Sequence, residues 1–252
     1  MKFSGIILGK VDILISLPLA VNIAFSTALV PAISSAMARK DKKGALKKIN
    51  FSLKLSSLIA FPCAVGMSVL AGPILLLIFP NASDGATLLS LAAWTIIFSV
   101  IAQTIYGSLH GIGKMYIPGI CLAIGAVVKY LMNIYLIPIY GETIASLSTL
   151  TYQCIAAGLS TIILFVSLKE MPKIWSSFIK PGIAAGIMGI LAVMTYNVTF
   201  SVMSSNTIAT FSAIGVAILA YIFSVFALKI LDKDEIAQLP GGQKLNKLMK
   251  NQ

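Results

Sequence analysis

The stretch Leu29–Lys48 reads LVPAISSAMARKDKKGALKK. An apolar helical pattern runs into it, carries small residues at Ser34, Ser35, Ala36 and Ala38, and stops. Arg39, Lys40, Lys42, Lys43, Lys47 and Lys48 then place six positive charges in ten residues, against the single Asp41. Another long apolar run begins at Ile49. A basic segment between two membrane-length runs marks the cytoplasmic side of a bilayer, because Lys and Arg concentrate in cytoplasmic loops. That assignment orients the rest of the chain.

Outward from this segment the composition is that of a membrane protein. Hydrophobic residues make up 58% of the chain and charged residues 11%, with a mean hydropathy of +0.95. Soluble domains carry about 25% charged residues. The net charge of +11 would suggest nucleic acid in a soluble protein. Here the basic residues sit in short loops where topology needs them, so no nucleic-acid partner is expected. Cys63, Cys121 and Cys154 lie inside apolar runs without metal or disulfide spacing and read as packing residues. No cleavable signal peptide is visible in the first twenty residues.

A span needs about 20 mostly apolar residues. The expected fold is all-α: a polytopic bundle over 1–231 with seven transmembrane helices, at 12–38, 49–79, 86–109, 115–139, 142–168, 178–198 and 206–231, then a polar cytoplasmic tail over 232–252. Pro18, Pro31, Pro62 and Pro73 fall inside the first two spans and predict bent helices, shaping either a cavity or only the packing. Basic residues recur after the third span at Lys114, after the fifth at Lys169, Lys173 and Lys180, and after the seventh. The alternate loops, at 81–85, 140–142 and 197–206, are nearly free of charge. The 39–48 loop and the C-terminus are therefore expected inside and the N-terminus outside, in a multi-pass protein of the cell membrane. An external N-terminus is simplest if an odd number of spans precedes it, which makes the chain the C-terminal part of a longer transporter.

Polar residues within the spans are the candidate functional groups. Lys129 lies fourteen residues into the fourth span, about 21 Å along the helix, and Asn133 follows one turn on. A charge at that depth faces a cavity or snorkels to the interface. Gln103, Tyr106 and His110 share one helical face in the third span. Asn22, Ser26 and Thr27 in the first span and Gln153 in the fifth could line a cavity or bond between helices. Asp12 and Glu142 sit at expected outer helix starts, where a carboxylate favours the helix dipole. Asn81-Ala-Ser83 and Asn197-Val-Thr199 match the short glycosylation acceptor pattern in expected outer loops. One histidine, no paired carboxylates within a span, no phosphate loop and no Cys/His cluster leave hydrolysis, ATP use and metal chemistry without support. The expectation is a non-enzyme without cofactors.

Three segments carry a family resemblance. LPLAVNIAFSTALVPAIS at 17–34, FPCAVGMSVLAGPILLLIFP at 61–80 and IAQTIYGSLHGIGKMYIPGICLAIGAVVKYLMNIYLIP at 101–138 resemble successive helices in the C-terminal half of the stage V sporulation protein B family. That family belongs to the polysaccharide branch of the multidrug/oligosaccharidyl-lipid/polysaccharide exporter superfamily. The resemblance covers roughly residues 11–170. It implies fourteen helices in two bundles around a cavity that opens alternately to either side, of which this chain holds the last seven. It also implies export of undecaprenyl-linked polysaccharide or peptidoglycan precursors, with membrane lipid, a lipid-linked oligosaccharide and a separate N-terminal half as partners. Lys129 would contact the substrate diphosphate, with Asn133, Gln103 and Asn22 as polar cavity residues. Two other readings stand beside it. One is a non-transporting scaffold or truncated product. The other is a drug/cation antiporter, against which the absence of a buried carboxylate argues.

Overall fold

The computed structural model describes residues 2–79, 85–141, 143–169 and 174–230, with side chains from Gly9 onward apart from 143 and 174–176. The tail 232–252, the acceptor pattern at 81–83, Glu142 and Lys173 lie outside the described residues. Nine helices account for nearly all of the described chain: α1 (Lys2–Ala38), α2 (Lys42–Val69), α3 (Ala71–Ile78), α4 (Ala86–Ala93), α5 (Thr95–Gly111), α6 (Ile117–Tyr140), α7 (Thr143–Leu168), α8 (Ile174–Met203) and α9 (Asn206–Ala227). Seven spans among the described residues are long and apolar enough to cross a membrane, α4 and α5 acting together as one.

The boundaries depart from the expected ones for local reasons. The 39–48 segment is not a long loop. Asp41 caps α2 by accepting the Gly44 N–H at 2.8 Å, so Lys42, Lys43, Lys47 and Lys48 ride on the first turns of the helix. The expected 49–79 span is broken at Leu70. Pro73 causes the break: its ring meets the carbonyl four residues back, at Val69, where α2 ends. In the first turn of α3 its missing N–H costs nothing. The third span is interrupted at the single turn residue Trp94, without a proline. There the Thr95 hydroxyl donates to the Ala92 carbonyl at 2.6 Å, competing with the helix ladder. The expected outer loop 197–206 is mostly helix, because Val198, Phe200, Val202 and Met203 extend α8 until Ser204–Ser205. Asn197 and Thr199 therefore lie on a helix rather than in a loop. Asp12 is not at a helix start either, since α1 already runs from Lys2.

The short turns force successive spans to run antiparallel. The α4–α5 span is central: 67% of its apolar stretch is buried, against 11% for α6. Its Leu89, Ile96, Ile105 and Leu109 are fully buried, as are Leu53 of α2 and Leu75 of α3 in the same core. Helix α1 packs on α5 and α2, α7 packs on α5, α6 forms a hairpin with α7, and α9 a hairpin with α8 that leans on α2. The α1–α5 crossing is close. A Cβ on Gly107 would lie 2.7 Å from the Ser26 carbonyl oxygen, and one on Gly111 would lie 2.8 Å from Ile33 side-chain carbons. Only glycine permits that approach.

Candidate functional site

Two polar regions emerge from this packing. The first is a cavity of about 330 Å³ walled by α1, α4, α5, α6 and α7. Lys129 and Asn133 enter it from α6, Asp12 and Ser16 from α1, and Gln153 and Thr149 from α7. Thr95 and Ser99 line it from the start of α5. The i, i+4 spacing of Lys129 with Asn133 and of Thr149 with Gln153 puts each pair on one helix face, and the α6–α7 hairpin turns both faces to the cavity.

Lys129 is half-buried. Its Nζ lies 5.8 Å from the Tyr152 ring centroid, within cation–π reach. Gly125, one turn earlier, makes room for that ring: a Cβ there would sit 2.8 Å from Tyr152 Cδ2. Asn133 Oδ1 accepts from the Ser148 hydroxyl at 2.6 Å, which leaves its amide N–H groups to face the cavity. The Thr95 hydroxyl donates to the Ala92 carbonyl at the end of α4 at 2.6 Å and the Thr149 hydroxyl to the Ala145 carbonyl of α7 at 2.8 Å, and both keep acceptor capacity. A cation, a carboxylate, amides and hydroxyls thus line one cavity of an otherwise apolar bundle. Among the described residues no cluster of three or more His, Cys, Asp or Glu side chains could hold a metal.

The second region is the α1–α5 interface, and it holds the other two expected site residues. Asn22 is fully buried and donates to Gln103 Oε1 at 2.9 Å and to the Val100 carbonyl at 3.4 Å. Its Oδ1 is buried without a protein partner. Neither Asn22 nor Gln103 lines the cavity with Lys129. The four residues expected to act together therefore divide into a cavity pair and an interhelical pair. His110 is exposed in the last turn of α5 and lines neither region.

Sequence reasoning misassigned Asp12. Read as a helix-start carboxylate, it lies inside α1 and lines the cavity while remaining exposed. The available signal was the apolar pattern preceding it: GIILGK continues the helix upstream. Thr149 carried no signal beyond its spacing from Gln153.

Seven membrane-length spans around a polar, charge-bearing cavity define a polytopic helical membrane bundle. The family profile for the lipid II flippase MurJ matches residues 6–219, and the chain belongs to that family. It is 28% identical over 234 residues to YabM, an uncharacterized membrane protein of Bacillus subtilis, which covers 90% of this chain and 43% of YabM. It is 27% identical over 141 residues to the lipid II flippase MurJ of Bacillus subtilis, covering 54% of this chain and 26% of that protein. A solved lipid II flippase MurJ in an inward closed conformation superposes with a TM-score of 0.71 at 21% identity, over 90% of this chain and 47% of that one. This last likeness establishes the fold. The chain spans less than half the length of each of these proteins.

Proposed function

We propose that this chain forms the C-terminal seven-helix half of a flippase that moves undecaprenyl-linked polysaccharide or peptidoglycan precursors outward by alternating access. The observation that carries the reading is the cavity holding Lys129 and Asn133 inside a bundle of the flippase family. A half-buried ammonium in a cavity that also presents amides and hydroxyls suits a diphosphate head group, while the long apolar helices suit the polyprenyl chain. Membership of the stage V sporulation protein B-like branch is supported by the motifs at 17–34, 61–80 and 101–138. The basic turn at 39–41 and the C-terminus face the cytoplasm in this reading, and a separate N-terminal bundle completes the transport path. The protein performs no covalent chemistry; its work is displacement of a lipid-linked substrate.

The test is reconstitution of the chain with an N-terminal half from the same genome in vesicles containing a fluorescent lipid-linked disaccharide diphosphate. Flipping is read as the fraction of label that becomes accessible to an external quencher. Lys129→Ala is expected to reduce the rate by about tenfold, the effect of one lost charge-assisted contact. Flipping at the wild-type rate in that variant rejects Lys129 as the head-group contact. No flipping by the wild-type pair rejects the transport reading.

A further inference from the structure

The two cavity residues of α6 are each held by one residue of α7. Asn133 accepts from the Ser148 hydroxyl at 2.6 Å, and the Lys129 ammonium lies 5.8 Å from the Tyr152 ring centroid. Lys129 and Asn133 are four residues apart, as are Ser148 and Tyr152, so the antiparallel hairpin matches the two pairs turn for turn. Gly125 fixes the ring. A Cβ there would lie 2.8 Å from Tyr152 Cδ2 and 3.0 Å from the Tyr152 carbonyl oxygen, so the half-buried tyrosine packs on the bare backbone of α6 one turn before Lys129. Among the described residues the ammonium's electrostatic partner is this ring, and no hydrogen bond or ion pair engages it. Lys129 lines the cavity and Tyr152 does not. The ring therefore backs the ammonium from outside the cavity. A carboxylate in that place would cancel the charge and occupy its N–H groups. An aromatic face stabilises a cation through its quadrupole and leaves the N–H groups on the far side free to donate.

We propose that Tyr152 is a positioning residue for the anion contact: its ring stabilises the Lys129 ammonium at membrane depth and aims the free N–H groups into the cavity, toward the oxygens of a phosphate-bearing head group. This rests on the reading of Lys129 as the contact for an anionic head group. A charge at that depth is costly when nothing compensates it, and the flexible lysine stem would otherwise carry the ammonium toward water. The aromatic backing holds it in place without cancelling its charge. The ligand then adds on the open side of the ammonium and does not displace the ring. The tyrosine hydroxyl has no part in this contact, which makes phenylalanine an equivalent residue at the position.

The test uses the full chain in lipid nanodiscs with inorganic pyrophosphate as the probe, titrated calorimetrically. Tyr152→Leu is expected to weaken binding by about fivefold, the scale of one partly desolvated cation–π contact, and Tyr152→Phe to stay within about twofold of the wild type. Lys129→Gln is expected to abolish binding. A second readout needs no ligand. Isotope-labelled dimethylation of the lysine amines keeps their charge and gives Lys129 a methyl resonance, identified by its loss in Lys129→Gln. The ring current of Tyr152 displaces that resonance. The displacement is expected to persist in Tyr152→Phe and to vanish in Tyr152→Leu. Unchanged or tighter pyrophosphate binding in Tyr152→Leu overturns the proposal, as does a Tyr152→Phe variant as weak as Tyr152→Leu, or a methyl resonance that Tyr152→Leu leaves in place. Pyrophosphate binding that survives Lys129→Gln, or that the wild type lacks, overturns the head-group reading and the proposal with it. Neither measurement depends on flipping, so failure of the vesicle assay alone counts against the transport reading and not against the ring contact.

Discussion

The Tyr221 hydroxyl donates a 3.0 Å hydrogen bond to the Leu58 carbonyl. Leu58 lies four residues before Pro62, and proline has no N–H to offer that carbonyl. Tyr221 on α9 thus supplies the donor that α2 lacks. The same device operates in reverse nearby: the Ser57 hydroxyl of α2 donates at 2.8 Å to the Ser177 carbonyl, four residues before Pro181 of α8. Two proline-freed carbonyls are each satisfied by the neighbouring helix, so the α8–α9 hairpin is keyed to α2 at fixed depth.

Tyr221→Phe is expected to lower stability by about 1 kcal/mol, the scale of an interhelical hydrogen bond in a membrane protein. Pro62→Ala restores an N–H for the Leu58 carbonyl, so adding Tyr221→Phe to that variant costs clearly less. Thermal or denaturant unfolding of the four proteins in one detergent measures the coupling. Strict additivity would show that the hydroxyl serves another purpose.

The α1–α5 contact predicts a larger effect at Gly107. A methyl group there meets the Ser26 backbone carbonyl at 2.7 Å, and backbone cannot step aside as a side-chain tip can. Gly107→Ala is expected to cost about 1–3 kcal/mol through separation of the two helices. Gly158, where a Cβ meets nothing within 4 Å, is the control, and Gly158→Ala is expected to be neutral or slightly stabilising. Equal midpoints for both variants would contradict the close crossing.

Much of this architecture is legible in the sequence because hydropathy reports membrane spans directly. The α6 and α7 boundaries fall within two residues of those expected, since Ile117 and Thr143 follow clear turn signals. The long segments 49–79 and 86–109 hide their interruptions: Pro73 marks the first break, while the Thr95 side chain, an unremarkable residue in sequence, produces the second. The Lys129–Asn133 face follows from helical spacing. Its distance from the Asn22–Gln103 pair does not, because which helices enclose a cavity depends on crossings set by contacts such as Gly107 with Ser26. The Gly107-Ser-Leu-His-Gly111 spacing is a small-xxx-small pattern that signals this crossing. Asp12 is obscured by the upstream extension of α1, whose first residues look like a leader to the span rather than part of it.

The α8–α9 connection carries a stability prediction of its own. Ser204 has a φ of 51°, in the left-handed region where a side chain is strained. Its N–H donates to the Phe200 carbonyl at 2.8 Å, closing α8. Ser204→Gly is expected to raise stability by about 0.5–1 kcal/mol, and Ser204→Val to lower it by a similar or larger amount because of its branched Cβ. The ordering Gly, Ser, Val in unfolding midpoint is the measurement. A reversed order would place this residue outside the left-handed region.

The last prediction separates the two polar regions. Asn22 and Gln103 bond to each other in the α1–α5 interface, outside the cavity of Lys129 and Asn133. Asn22→Ala leaves the half-buried Gln103 without this partner, and Gln103→Ala leaves the buried Asn22 amide only its 3.4 Å bond to the Val100 carbonyl, so each is expected to cost about 1–2 kcal/mol of stability. The double variant should cost less than the sum. Pyrophosphate affinity, read below the unfolding midpoint of each variant, should stay at the wild-type value, because neither residue lines the cavity. Asn133→Ala is the contrast: it removes a cavity amide whose Oδ1 is held by Ser148, and it should weaken pyrophosphate binding with a smaller loss of stability. If Asn22→Ala weakens binding as strongly as Asn133→Ala does, the two regions act as one site and the division drawn from their hydrogen bonds is wrong.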